Sequence, residues 1–258
     1  MTSATVLISG AASGIGRKIA EAFLGQGDSV HICDSSAEMI AEFAAANPTA
    51  TTTQADVANV ADVERVFAEL KQHYGTLNTL INNAGIAGPV ATVDNIEPDD
   101  WDECVAVDLS SAFYMTRRAV PLLKAAGGGS IINVASTAGL MGVPMRSPYA
   151  ASKWGLIGLT KTWAMELGPE KIRVNAVCPG CVSGPRIEGV IEKDAKKRGV
   201  TPDEIRSVYL RQSSMRDFVS PEEIADTILF LASSKASKIS GQALAIDGHT
   251  ETLANWLD

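Results

Sequence analysis

Basic residues are in deficit. Lysine and arginine number 22 against 30 aspartates and glutamates, a formal net charge of −8, which argues against nucleic acid or an anionic membrane surface as a partner. An anionic small molecule stays compatible with that charge, since a local basic pocket can sit in an acidic protein. Long apolar runs are also missing. No stretch approaches the roughly 20 residues that a membrane span needs, and Met1 leads directly into an apolar strand rather than through a basic segment with a long apolar one behind it. No targeting segment is therefore expected, and a cytoplasmic location is. Cysteine is sparse: Cys33, Cys104, Cys178 and Cys181, of which only the last two are close, as Cys-Pro-Gly-Cys. A zinc site needs further ligands, and His31, His73 and His249 are scattered, so neither metal nor disulfide is expected. The plain reading is free thiols in a reducing compartment. Internal repeats, low-complexity stretches and linkers are lacking too.

What the sequence does have is core material in a periodic arrangement. With 46% hydrophobic and 20% charged residues over 258 positions, it fits one globular α/β domain spanning 1–258. Short runs rich in Val and Ile read as strands buried on both faces, at Thr5–Ser9, Ser29–Cys33, Thr51–Gln54, Thr79–Asn82, Ser130–Ala135, Arg173–Cys178 and Ala243–Ile246. Helical spacing lies between them. Ile15–Gly25 aligns Ile15, Ile19, Ala22 and Phe23, and Val60–Tyr74 aligns Val63, Val66, Phe67 and Leu70. Further helices fit Pro98–Ala125, Pro148–Gly168 and Pro221–Ala232, each opening near Pro or Ser/Asp. The stretch 44–53 reads as a helix-to-strand connection. Alternating strand and helix implies a doubly wound, Rossmann-like domain with a seven-stranded, mostly parallel sheet and helices on both faces. Residues 185–219, charged and helical in composition, interrupt the rhythm beyond the carboxyl ends of the strands, where ligands bind in such sheets, and read as a substrate lid.

The first strand runs into Gly10-Ala11-Ala12-Ser13-Gly14-Ile15-Gly16 and then a helix. Phosphates need close backbone approach and free amide donors at a helix N-terminus, and glycines allow both. Strand before and helix after make this a dinucleotide turn rather than a plain tight turn. Asp34 ends the second strand. A carboxylate there accepts from both ribose hydroxyls of NAD and repels the 2′-phosphate of NADP, while Ser13 and Ser35 offer no charge to neutralise that phosphate. NAD is the expected cofactor.

These residues, with others further on, resemble the classical short-chain dehydrogenase/reductase family over nearly the whole chain. Gly10, Gly14 and Gly16 match its Gly-x-x-x-Gly-x-Gly turn; Asp56, followed by Val57, matches the residue that contacts adenine; Asn82-Asn83-Ala84-Gly85 matches its signature after the fourth strand. Ser136, Tyr149 and Lys153 match the catalytic Ser and Tyr-x-x-x-Lys, and Pro179-Gly180 matches the turn beside the nicotinamide, with Val182 adding backbone contacts. A Tyr-x-x-x-Lys alone is an ordinary helix pair; three coincident motifs in the right order point to chemistry. The resemblance implies Tyr149 as acid/base, Lys153 as the cation that favours its phenolate and binds ribose, and Ser136 on the substrate oxygen. Elementary chemistry agrees: a phenol is a poor proton donor at neutral pH, a nearby ammonium stabilises its anion, and a spacing of four puts both on one helix face.

Two positions depart from the family pattern. Val107-Asp108-Leu109 stands where the family has Val-Asn-Leu; Asp108 is kept as a catalytic candidate, as a carboxylate attracting the lysine or, buried and neutral, as a donor. Gly184 stands where the family often has a nicotinamide-contacting Thr, with Ser183 adjacent as a substitute. Substrate choice is expected from 140–146 and the lid. Met141 and Met145 can form an adaptable wall, and Arg146 or Arg186 can clamp a carboxylate, phosphate or sulfonate; the alternative is that both arginines are solvated. The run Lys193–Arg198 reads as a solvated helix face. Asp247-Gly248-His249-Thr250 departs from the family's glycine pair, and Trp256 and Leu257 near the end suggest a docked tail and a homotetramer. The resulting expectation is an NAD-dependent dehydrogenase or reductase of a small polar secondary alcohol or ketone (sugar, polyol or hydroxy acid). The alternatives are a 3-oxoacyl reductase-type enzyme, a same-fold lyase or epimerase, and a non-catalytic dinucleotide sensor.

Overall fold

The computed structural model describes residues 3–250. Their order is β1 (Thr5–Ser9), α1 (Gly14–Gly25), β2 (Ser29–Asp34), α2 (Ala37–Ala46), β3 (Thr51–Gln54), α3 (Val60–Tyr74), β4 (Thr79–Asn82), α4 (Pro98–Val105), α5 (Ser111–Ala125), β5 (Gly129–Val134), α6 (Ser147–Leu167), β6 (Ile172–Pro179), α7 (Pro185–Arg198), α8 (Pro202–Arg211), α9 (Pro221–Ala232) and β7 (Ala243–Ile246). All seven strands are parallel, in the order β3-β2-β1-β4-β5-β6-β7. β1 shows why the central runs are apolar. Val6 and Ile8 face a core built with α1, α2 and α9, while Leu7 faces the opposite core, built with α3, α5 and α6. A strand covered on both sides has no polar face.

The sheet order places a switch point between β1 and β4, where the chain turns outward in opposite directions and a crevice opens at the carboxyl ends. Gly10 has φ +61°, and a Cβ there would lie 2.7 Å from the Ala84 Cα. The turns after β1 and β4 thus touch backbone to backbone. Ser9 Oγ accepts from the amides of Asn83 and Ala84 at 3.1 Å each, and Asn83 Nδ2 donates to the Ser9 and Gly10 carbonyls at 3.0 and 2.7 Å. Beneath this crevice runs a buried amide ladder. Asn82 donates to Asn133 (2.8 Å) and Thr116 (3.1 Å), and Asn133 donates to Thr160 (2.8 Å), tying α5 and α6 to the sheet.

Three local departures from the sequence reading have physical causes. The expected single helix Pro98–Ala125 is broken: Ala106–Ser110 wind as a π-helical turn between α4 and α5, a bulge common at functional positions. α2 reaches to Ala46, into the stretch read as connection, because Ala44, Ala45 and Ala46 are strong helix formers and the Asn47 amide closes the last turn on the Phe43 carbonyl. Residues 185–219 form two helices, α7 and α8, around a small core of Ile191, Ala195 and Ile205. Lys193 and Lys196 are exposed as expected, but Ala195 in the same run is buried. No described helix is long and apolar enough to cross a membrane. Trp256 and Leu257 lie outside the described residues.

Candidate active site

Pro148 opens α6 and sets Tyr149 in its first turn, half-buried; Lys153 follows one turn later and is 3% exposed. The Lys153 ammonium donates to the Val134 carbonyl at the end of β5 (3.2 Å) and lies 5.5 Å from the Tyr149 ring centroid. Ser136 stands two residues beyond β5, in extended backbone rather than within the strand. Its Oγ accepts from the Ala138 amide at 3.1 Å, which leaves its hydroxyl proton free to donate outward. The turn that follows packs on α6, where a Cβ at Gly139 would fall 2.7 Å from the Lys153 carbonyl.

Asp108 sits in the π-helical turn, 2% exposed. Its Oδ1 accepts from the Ile86 amide at 2.7 Å, and the Cys104 thiol lies 3.8 Å from its Oδ2. Burial raises its carboxyl above the usual range, against the opposing pull of the Lys153 charge, the Ile86 amide and the Arg186 charge. Gly85 threads between the two groups: a Cβ there would lie 2.9 Å from Asp108 Oδ1 and 3.4 Å from Lys153 Nζ. Among the described residues no carboxylate lies within 4 Å of Lys153. Asp108 is therefore a neighbour of the lysine, hydrogen-bonded to backbone, rather than its ion-pair partner. Cys104 and Cys178 border the same region. Burial, reinforced by Asp108 for Cys104, pushes each thiol up to about 11.

The turn after β1 fits a dinucleotide. Ser13 and Gly14 are exposed at the start of α1, Ser13 caps no amide with its side chain, and a Cβ built at Gly14 would meet nothing within 4 Å. Open space therefore faces uncapped helix amides, the arrangement a pyrophosphate needs; Ile15 and Gly16 follow in the same turn, Gly16 buried. Asp34 ends β2; its Oδ2 accepts from the Ala12 amide (3.1 Å) and its Oδ1 from the Ser36 amide (3.2 Å). It braces the turn, and the cap of α2 is Ser36. Asp56 is exposed, held by its own Asx bond to the Ala58 amide, beside buried Val57. Across the switch point the Asn83, Ala84 and Gly85 turn closes the other side.

On the β6 side, the Gly180 amide donates to the Ile246 carbonyl at 3.0 Å, fixing the turn after Pro179. Val182 bridges to Val219, and the Ser183 amide donates to the Val219 carbonyl at 2.8 Å. The Ser183 hydroxyl also points to that carbonyl, at 3.3 Å, so its donor serves the base of the 185–219 segment. Arg146 is half-buried and lies over the Tyr149 ring; Arg186 is exposed in the first turn of α7; Met141 is half-buried and Met145 exposed. Ser9, Cys104 and the Ile86 and Val134 backbone groups were missed in the sequence. None carries a motif, and each matters only through the partner the fold brings to it.

Fold and site together define an oxidoreductase of hydroxyl and keto groups that works with a nicotinamide dinucleotide. The chain belongs to the short-chain dehydrogenase/reductase family. A family model described as enoyl-(acyl carrier protein) reductase matches residues 10–249. The chain is 38% identical over 246 residues to a 3-oxoacyl-(acyl-carrier-protein) reductase of Thermotoga maritima, covering 94% of this chain and 95% of that one. It is 40% identical over 259 residues to trans-4-hydroxycyclohexanecarboxylate dehydrogenase of Sinomonas cyclohexanicum, covering 96% and 93%. Among solved structures it is similar to NAD+-bound xylitol dehydrogenase (TM-score 0.90, 27% identity, 95% of this chain and 98% of that one). It is equally similar to an actinorhodin polyketide ketoreductase with NADPH (TM-score 0.90, 32% identity, 95% and 96%).

Proposed function

We propose that the chain is an NAD-dependent dehydrogenase or reductase of a small polar secondary alcohol or ketone, a sugar, polyol or hydroxy acid, working as a homotetramer. The observation that carries the chemistry is the Tyr149–Lys153 pair: a half-buried phenol whose ring lies 5.5 Å from a buried ammonium fixed on the Val134 carbonyl. Bound at the β1–β4 crevice, the nicotinamide supplies or takes up the hydride. Tyr149 gives or takes the proton at the substrate oxygen, with the Lys153 ammonium one helical turn away beside its ring. Ser136 donates its free hydroxyl proton to the same oxygen and stabilises charge as it develops there. Asp108 holds the turn around Gly85 through the Ile86 amide and so positions Lys153. Val57, Asn83, Ala84, Pro179, Gly180 and Val182 line the cofactor, and the segment 185–219 closes on the substrate.

NAD over NADP rests on Asp34, whose carboxylate at the end of β2 opposes a second phosphate. The likeness to a 3-oxoacyl reductase keeps that activity as the second reading. The homotetramer rests on apolar side chains left outward on two helices, Phe113 on α5 and Trp154 and Met165 on α6, 46%, 52% and 82% exposed. The deciding experiment is a panel of secondary alcohols with NAD and NADP, and of their ketones with the reduced cofactors, on the protein and on Tyr149→Phe. NAD-linked turnover lost in the variant is expected; turnover that survives removes the acid/base role.

A further inference from the structure

Met145 has φ +63°, a left-handed backbone that a long side chain adopts only where its surroundings enforce it. The enforcement is visible. Its carbonyl accepts from the Ala91 amide at 3.1 Å, and the next residue, Arg146, donates from Nη2 to the Ala87 carbonyl at 2.6 Å. The loops after β4 and β5 are thereby pinned together, and the turn at Met145 delivers the Arg146 guanidinium over the Tyr149 ring, its Cζ 4.8 Å from the centroid.

There the guanidinium is incompletely satisfied. Arg146 Nε is buried and makes no hydrogen bond within the protein, and among the described residues no carboxylate lies within 4 Å of it. Buried donors of a charged group are normally paired, and an unpaired one is costly. In a chain of net charge −8, an arginine with no acid partner beside the reacting phenol is a feature that a ligand must complete. Arg146 lies near enough to Tyr209 of α8 for its charge to oppose the rise that burial imposes on that phenol. Arg186, also without a carboxylate within 4 Å, adds a second positive charge on that side, though it is exposed.

We infer that Arg146 receives a carboxylate of the substrate, so that within the dehydrogenase reading above, on which this inference rests, the substrate class is a small hydroxy acid and its keto acid. The carboxylate sits on the guanidinium, and the carbinol, one short spacer away, meets Tyr149 and Ser136. A monoanion suits the site better than a phosphate dianion, because Nη2 is already committed to the Ala87 carbonyl and one planar fork is all that remains.

The test separates binding from turnover. NAD-loaded protein is titrated calorimetrically with butyrate, with butyramide as its neutral match, and with inorganic phosphate. Butyrate is expected to bind more tightly than either. Arg146→Gln is expected to weaken butyrate roughly 10- to 100-fold, the range for losing a charged hydrogen-bond partner, with Arg146→Lys recovering part of it. Equal binding of butyrate and butyramide, tighter binding of phosphate, or loss of butyrate binding in Arg186→Gln with Arg146→Gln unaffected would each overturn the inference. The wild-type comparison decides even if Arg146→Gln does not fold. Butyrate binding without hydride transfer from any alcohol or to any ketone would sink the dehydrogenase reading and leave the carboxylate site standing.

Discussion

Asp108 accepts a 2.7 Å hydrogen bond from the Ile86 amide, so a buried carboxylate, and not a water or a backbone group, holds the turn after β4 in place. Replacing it by Ala orphans that amide and is expected to cost about 1–3 kcal/mol. Asn keeps the acceptor and removes the charge. The carboxyl is raised in the folded state by burial, so the folded protein holds this proton to higher pH than the unfolded chain does. Stability from this group therefore falls as pH rises from the ordinary carboxylate range through the raised folded value. Asp108→Asn should consequently be more stable than the parent at neutral pH, with the difference closing below the unfolded carboxylate range. Chemical denaturation as a function of pH measures this, and an advantage that grows toward acid would contradict the sign.

Tyr149→Phe removes one oxygen from a half-buried ring and leaves the Lys153–Val134 hydrogen bond intact. We expect kcat to drop roughly 10²- to 10⁴-fold, the usual share of general acid–base catalysis. NAD affinity, read from cofactor fluorescence, should change little.

Asp34→Ser should raise the ratio of NADP to NAD efficiency by about tenfold or more, since a like charge facing the 2′-phosphate is removed. Because Asp34 Oδ2 also accepts from the Ala12 amide, the same change should weaken NAD itself. Comparing kcat/KM for the two cofactors checks both parts.

Asn133 links Asn82 to Thr160 in a site of zero exposure. Asn133→Ala removes one buried partner from each neighbour and leaves a void, and should lose about 2–4 kcal/mol. At roughly 2–4 °C per kcal/mol for a chain of this size, the melting temperature should fall by about 4–16 °C.

Trp154→Glu places a charge on the outward face of α6, where the indole is 52% exposed. If that face is a subunit contact, light scattering should report a smaller assembly with unchanged far-ultraviolet circular dichroism. An unchanged mass would remove these helices from the interface.

Much of this fold is legible in the sequence. All seven strands fall within one residue of the pattern at each end, and the central ones do so because a strand buried on both faces writes itself as an unbroken apolar run. Tyr149 and Lys153 were legible because their relationship is local, one turn of one helix. Other features depend on distant pairings. The π-helical turn at Ala106–Ser110 has no proline or glycine to announce it, and the Asp108–Ile86 bond joins positions 22 apart. Arg146 looked like either a solvated or a clamping side chain. Only the left-handed Met145 and the Ala87 carbonyl bring it over Tyr149.

The segment from α7 to Val219 enters and leaves the body at one place, where Cys181 and Ser183 are hydrogen-bonded to Val219, and it carries its own small core and an Arg206–Glu188 ion pair between its helices. Such a piece can be lengthened, shortened or exchanged within α7 and α8 while its anchors, at Val219 and where Ser213–Met215 bond to Gly248–Thr250, hold the strand registers. The segment proposed to enclose the substrate and the residues proposed to move hydride and proton can therefore diverge at different rates, an interchangeable cover on a fixed reaction vessel.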